Sequence, residues 1–274
     1  MVRLLVIHSL AEDEDLIDYT FTYGDLEIFL LILVRVTMFV YVAPFFSMSN
    51  TPHVVRVGFS VLLSFLLYGY APVDTLEYET IWGFTVIILK EFFTGLLIGY
   101  AAQICTLVAN MAGQIADMQV GLSMVQIMSP NSRENVPVSA GLYQYAFMGM
   151  MLVSGLYRYF ISALVDSFRL IPVNGAIFNS DKLLESMLKF VSYYMIIGFR
   201  ICLPIFIVTF IMNVILGILA RVAPQMNMFA VGMQLKLIVG LSMMYMTCIL
   251  LYNASDFIFT NMRELMTEFI NDLT

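Results

Sequence analysis

The chain has 274 residues and a formal net charge of −7; hydrophobic residues make up 61% and charged residues 12%. With a mean hydropathy of +0.88, this excludes an ordinary water-soluble domain, which is about half apolar and a quarter charged. It also excludes a nucleic-acid arm, because the charge is acidic and concentrated at the ends, in Glu12, Asp13, Glu14, Asp15 and Asp18 and in Glu264, Glu268 and Asp272.

The expected class is an all-α integral membrane protein. Three parts are expected: an acidic N-terminal extension over 1–25, a helical membrane domain over 26–256 and an acidic tail over 257–274. The ends are read either as solvated flanks or as acidic docking tails. Residues 1–25 lack the basic start, long apolar stretch and cleavage site of a secretory signal, so the first apolar block is expected to act as an uncleaved insertion signal.

A helix crossing about 30 Å of hydrocarbon needs about 20 apolar residues. Six long hydrophobic units qualify, over 26–48, 54–71, 81–109, 138–165, 190–220 and 226–252. Breaks rich in Ser, Asn, Pro and Gly separate several of them. Their continuous apolarity does not fit the two-residue alternation of a membrane β-barrel. Loop cations divide three against five between the two sides (Arg56, Arg133, Arg221; Arg3, Arg169, Lys182, Lys189, Arg263), which leaves orientation open.

One stretch interrupts this pattern. Residues 111–128 are apolar but carry Gln114, Asp117, Gln119 and Gln126 among glycines. The segment reads either as a packed amphipathic connector or as a re-entrant, pore-lining loop.

Arg35, Lys90 with Glu91, Arg158, Arg200 and Lys236 lie within apolar blocks, where each cation costs about 2.5–3.5 kcal/mol at a span centre. Three readings account for them. They snorkel to the interface, they serve an ion-coupled transporter, or they meet carboxylates and helix C-termini of neighbours in a larger assembly. The transporter reading expects more mid-span carboxylates or histidines than Glu91 alone; His8 and His53 lie outside the units.

Gly95 and Gly99 form a G-x-x-x-G, with Ala109 and Gly113 a second small pair, which lets helices approach closely. The 21 methionines serve as core filler or as a deformable seal. Cys105, Cys202 and Cys248 fall inside apolar blocks and offer no disulfide framework. No hydrolase, nucleotide or metal motif is present, so neither an enzyme nor a cofactor is expected. An intramembrane hydrolase built on Ser154 or Ser242 has no spacing to single it out.

Two motifs carry a resemblance. The run Ala112-Gly113-Gln114-Ile115-Ala116-Asp117-Met118-Gln119-Val120-Gly121-Leu122-Ser123, followed by Ser129-Pro130 and Val136-Pro137-Val138, is similar to A-G-E-x-I-G-x-Q-M-G-L-S of the FliR family of flagellar export-gate proteins. The run Arg221-Val222-Ala223-Pro224-Gln225-Met226-Asn227-Met228-Phe229-Ala230-Val231-Gly232 resembles that family's R-x-A-P-Q-x-N-I-F-x-V-G. The injectisome counterpart is called SctT. Gln114, Val120 and Gln234 depart from the family pattern, and Gly155-Leu156-Tyr157 replaces a G-H-H-like turn.

The resemblance implies a subunit of the flagellar type III export gate in the bacterial inner membrane, with the injectisome gate subunit as the alternative; the run from Pro224-Gln225 to Gly232 resembles the flagellar family more closely. The subunit would assemble with FliP and FliQ, be contacted by FlhB, and pass unfolded flagellar proteins. A plug or gate would be formed by Gly113, Gln114, Asp117, Met118, Gln119, Gly121, Leu122 and Met124, with Met118 and Met124 in the seal and Gly113 and Gly121 permitting backbone change. Subunit assembly would involve Lys90, Glu91, Gly95, Gly99, Arg200, Arg221, Pro224, Gln225, Asn227, Phe229, Gly232 and Lys236.

Overall fold

A computed structural model describes residues 23–46, 51–70, 78, 80–122, 127–128, 135–136, 138–225 and 227–274. The expected extension over 1–25 lies almost wholly outside the described residues, as do Met124 and Gln126. The described residues form eight helices: α1 (Tyr23–Val42), α2 (His53–Tyr68), α3 (Ile81–Ala102), α4 (Ile104–Val120), α5 (Val138–Val153), α6 (Leu156–Leu170), α7 (Ser180–Val222) and α8 (Met228–Asp272). Between α4 and α5, β1 (Ile127–Met128) pairs antiparallel with β2 (Asn135–Val136), Ile127 opposite Val136. The architecture is all-α, as expected, apart from this two-residue ladder.

Helix boundaries follow local chemistry. The unit expected over 81–109 is divided by a turn at Gln103, and α4 then runs on through half of the segment expected to be interrupted. It stops where Gly121 takes φ 91°, a left-handed C-cap conformation that glycine adopts without steric cost. The unit expected over 138–165 is bent by 75° between α5 and α6, where Gly155 takes φ 70°. Helix α7 begins earlier than expected because the Asn179 side chain accepts the Asp181 N–H at 3.2 Å, capping the helix.

The acidic tail over 257–274 is not a solvated flank. It continues α8, burying Ile258, Phe259, Met262, Leu265, Met266, Phe269, Ile270 and Leu273. Their three- and four-residue spacing makes one apolar face, while the acids on the other side find partners on α7. Glu268 pairs with Lys189 at 2.5 Å, and Asp272 accepts from the Ser186 hydroxyl. These contacts close the base of an antiparallel hairpin whose arms of 43 and 45 residues are each about 65 Å long at 1.5 Å per residue. Toward its turn the hairpin exposes Phe210, Ile211, Val214, Ile218 and Val222.

By length and composition three stretches among the described residues can cross a membrane: α3, α7 and residues 230–247 of α8; the bent α5–α6 pair makes a fourth if it counts as one span. The long apolar units expected from the sequence are therefore not all simple crossings among the described residues. Helix α2 has only 16 residues. In α1 every eighteen-residue window contains Asp25, Glu27 and Arg35.

Candidate functional site

Arg35 anchors the inner bundle. Its side chain and that of Glu91 are fully buried, with Nε donating to Oε2 at 2.5 Å. Nη1 donates to the carbonyls of Ile171 at 2.9 Å and Ser167 at 3.4 Å, and the guanidinium lies 4.3 Å from the Phe168 ring centroid. The cation thus meets both a carboxylate and the C-terminal carbonyls of α6, where the helix dipole is negative. Glu91 uses its other oxygen, Oε1, to accept the backbone N–H of Asn174 at 2.9 Å, holding a residue at φ 70°.

This clamp needs α1 and α3 in near contact, which the G-x-x-x-G supplies. A Cβ on Gly95 would lie 2.2 Å from the Arg35 carbonyl oxygen, and one on Gly99 would lie 3.2 Å from that of Phe39. Glu91, Gly95 and Gly99, expected in subunit assembly, are buried within this chain, Glu91 against Arg35 and the two glycines against the backbone of α1.

Helix α4 runs through the centre of the bundle. A Cβ on Gly113 would fall 2.2 Å from Ala140 Cα, so α4 and α5 touch backbone to backbone there. Met111 fills the space over Gly198 of α7, and Val120 the space over Gly240 of α8. Asp117 is buried and accepts the Ser139 N–H at 3.2 Å and the Ser139 hydroxyl. Its charge therefore sits at the positive end of α5. Gly113 thus packs against the backbone of α5, and Asp117 caps that helix. Gly121 is the conformationally free position, followed by half-buried Leu122.

The opposite side of α4 is open and polar without being charged. Gln103, Thr106, Asn110 and Gln114 recur at intervals of three, four and four residues, half-buried to exposed, and end in Met118, which is 62% exposed. Gln119 lies beside the stripe, half-buried. Sequence reading found Gln114, Met118 and Gln119 but missed Gln103, Thr106 and Asn110. The signal was the 3.6-residue period, obscured by treating Gln103 as the middle of a span.

The second motif forms the hairpin turn. The Asn227 side chain accepts the Ala230 N–H at 3.4 Å and caps α8, and Arg221 sits in the last turn of α7, where a cation is favoured. Pro224 and Gln225 are exposed. Gly232 is buried, with Leu216 3.2 Å from where its Cβ would stand; Phe229 belongs to the first turn of α8. Arg200 lies 5.6 Å from the Phe257 ring, on an exposed face of α7, and Lys236 is half-buried on α8. The sequence-predicted assembly residues therefore fall into three separate places: the Arg35 clamp, the hairpin turn, and the outer faces of α3, α7 and α8. Among the described residues no three His, Cys, Asp or Glu side chains come together as a metal site would require.

Comparison with known proteins supplies a family. The model of the bacterial export proteins, family 1, matches residues 26–262. The chain is 28% identical over 244 residues to the flagellar biosynthetic protein FliR of Escherichia coli (strain K12), covering 88% of this chain and 92% of that protein. It is 28% identical over 220 residues to FliR of Bacillus subtilis (strain 168), covering 79% and 84%. With FliR of Aquifex aeolicus (strain VF5) the figures are 26% over 213 residues, 77% and 81%.

Proposed function

The chain belongs to the bacterial export proteins, family 1, and from that membership we propose that it is a structural subunit of the flagellar export gate. In this reading it sits in the inner membrane at the flagellar basal body. It assembles with FliP and FliQ, is contacted by FlhB, and helps form the passage for unfolded flagellar proteins. It performs no covalent chemistry.

The observation that carries the reading is the stripe on α4. Elsewhere the chain turns Leu, Ile, Val and Phe outward along α3, α7 and α8, as suits lipid or apolar helices. An outward line of Gln, Thr and Asn is costly against either, because each amide needs a hydrogen-bonding partner, but it suits a wet passage. Neutral side chains also suit a conduit for chains of varied charge, since a ring of fixed charge would select among them. The plug assignment of Gly113 to Met124 is retained with one revision. Residues up to Val120 are fixed by α5 and α8, so backbone change begins at Gly121, and Met118 at the end of the stripe is placed to seal.

Replacing Gln103, Asn110 and Gln114 together by leucine tests this. Gln103→Leu/Asn110→Leu/Gln114→Leu leaves the packed face of α4 untouched. Secretion of flagellar subunits into the medium should fall about tenfold or more, the effect of ~1.4 kcal/mol on a transport barrier, while partners still co-purify. Normal secretion by the assembled triple variant would remove the stripe from the passage.

A further inference from the structure

Helices α3 and α7 run in the same direction, since Phe93 packs on Phe178 with ring centroids 6.5 Å apart and Tyr100 packs on Phe190 at 4.6 Å. Alongside these contacts they leave an open groove of ≈ 550 Å³, lined by Val86, Leu89, Phe93, Leu183 and Met187 among others. Lys90 also lines it. Lys90 is half-buried and makes no ion pair among the described residues, and the neighbouring Glu91 is committed to Arg35 on the other side of α3.

The α3 wall carries a regular outward pattern: Trp82, Val86, Leu89 and Phe93 are 79%, 54%, 48% and 47% exposed, and the last three line the groove. Their spacing is four, three, four, the a/d repeat by which one helix receives the side chains of another. From α7 the groove takes Leu183, Leu184 and Met187, one turn apart. An acyl chain needs no such register. Lys90 lies within the α3 stripe, one turn from both Val86 and Phe93, so the occupant must also carry a negative charge there. Otherwise a lone ammonium in an apolar seam would cost several kcal/mol.

We infer that the groove between α3 and α7 receives an apolar helix of a partner subunit, whose mid-helix aspartate or glutamate pairs with Lys90. This rests on the assembly reading above and assigns it a location, a register and a charge pair. Arg35 needs no such partner, because its carboxylate is internal; Lys90 is the cation of α3 left for a neighbour.

The test is direct coupling in the complex purified from its native membrane in mild detergent. Dicyclohexylcarbodiimide, an apolar reagent, activates a carboxylate, which a contacting amine attacks to form an amide while the carbodiimide takes up the elements of water and leaves as the urea. The expected product, read by peptide mass spectrometry, joins Lys90 to an Asp or Glu within an apolar helix of a co-purified polypeptide. It should disappear in Lys90→Met, a variant that removes no side-chain hydrogen bond or ion pair among the described residues and keeps the apolar stem. An intact complex with Lys90 unlinked would overturn the inference. So would an anionic phospholipid retained by the native complex and lost from Lys90→Met. Recovery of the chain with no partner at all would contradict the assembly reading itself, and the helix pairing would fall with it.

Discussion

Glu91→Ala is expected to destabilise the folded chain by about 3–5 kcal/mol, the usual consequence of leaving one member of a buried ion pair without the other. The penalty is high because Arg35 is fully buried between three elements and has no route to water. Without Glu91, the Asn174 N–H also loses its acceptor. Thermal unfolding in detergent and the yield of monodisperse protein read the effect. Arg35→Met/Glu91→Met should be markedly more stable than Glu91→Ala, because two apolar side chains of similar volume leave no unpaired charge. A double variant as damaged as the single one would show that the guanidinium serves mainly the α6 carbonyls, and that Glu91 is incidental.

Smaller but clear damage is expected from alanine at Gly113. A methyl there would stand 2.2 Å from Ala140 Cα and 2.3 Å from Ala140 N. Backbone atoms of a helix cannot swing aside, so α5 must move away. That motion would pull Ser139 from Asp117, which caps α5. Overpacking of this kind costs about 1–3 kcal/mol for Gly113→Ala and more for Gly113→Val. Gly141→Ala supplies the contrast. It lies on α5 only one residue from Ala140, yet a Cβ there meets nothing within 4 Å. Alanine should therefore gain about 0.5–1 kcal/mol of helix propensity. Equal tolerance of alanine at both sites, measured by thermal unfolding, would contradict the backbone contact.

The contrast between Gly113 and Asp117 on one side of α4 and Gln114 and Met118 on the other shows what could be read from the sequence. Composition was sufficient for an all-helical membrane protein, and the two motifs were sufficient for the family. Residue roles were harder, because adjacent positions on a helix point 100° apart and a contiguous motif spans both a packed face and an open one. Asp117 looked like a gate residue because a carboxylate among glycines has no evident partner in the linear sequence; its partner, Ser139, is 22 residues away. Arg35 was recognisable as a buried cation, but the spacing could not name Glu91, 56 residues on.

The end of α8 illustrates a different loss. Glu264, Glu268 and Asp272 suggested a solvated tail, although Ile258, Met262, Leu265, Phe269 and Leu273 repeat at helical spacing through the same stretch. The acids mark one face of an amphipathic helix rather than a flexible end, and Lys189 and Ser186 on α7 receive two of them. Charge counted along the chain concealed what periodicity would have revealed.

The central claim, that the polar face of α4 borders the path of exported chains, is tested most directly by placing a photoreactive amino acid at Gln114 in a cell whose export is arrested by a flagellar subunit fused to a stably folded domain. The account predicts an ultraviolet-dependent adduct between position 114 and the unfolded portion of the arrested subunit, and none from the buried position Ile98 on α3. An assembled gate that holds the arrested subunit but cross-links from Gln114 only to other gate proteins or to lipid would contradict it.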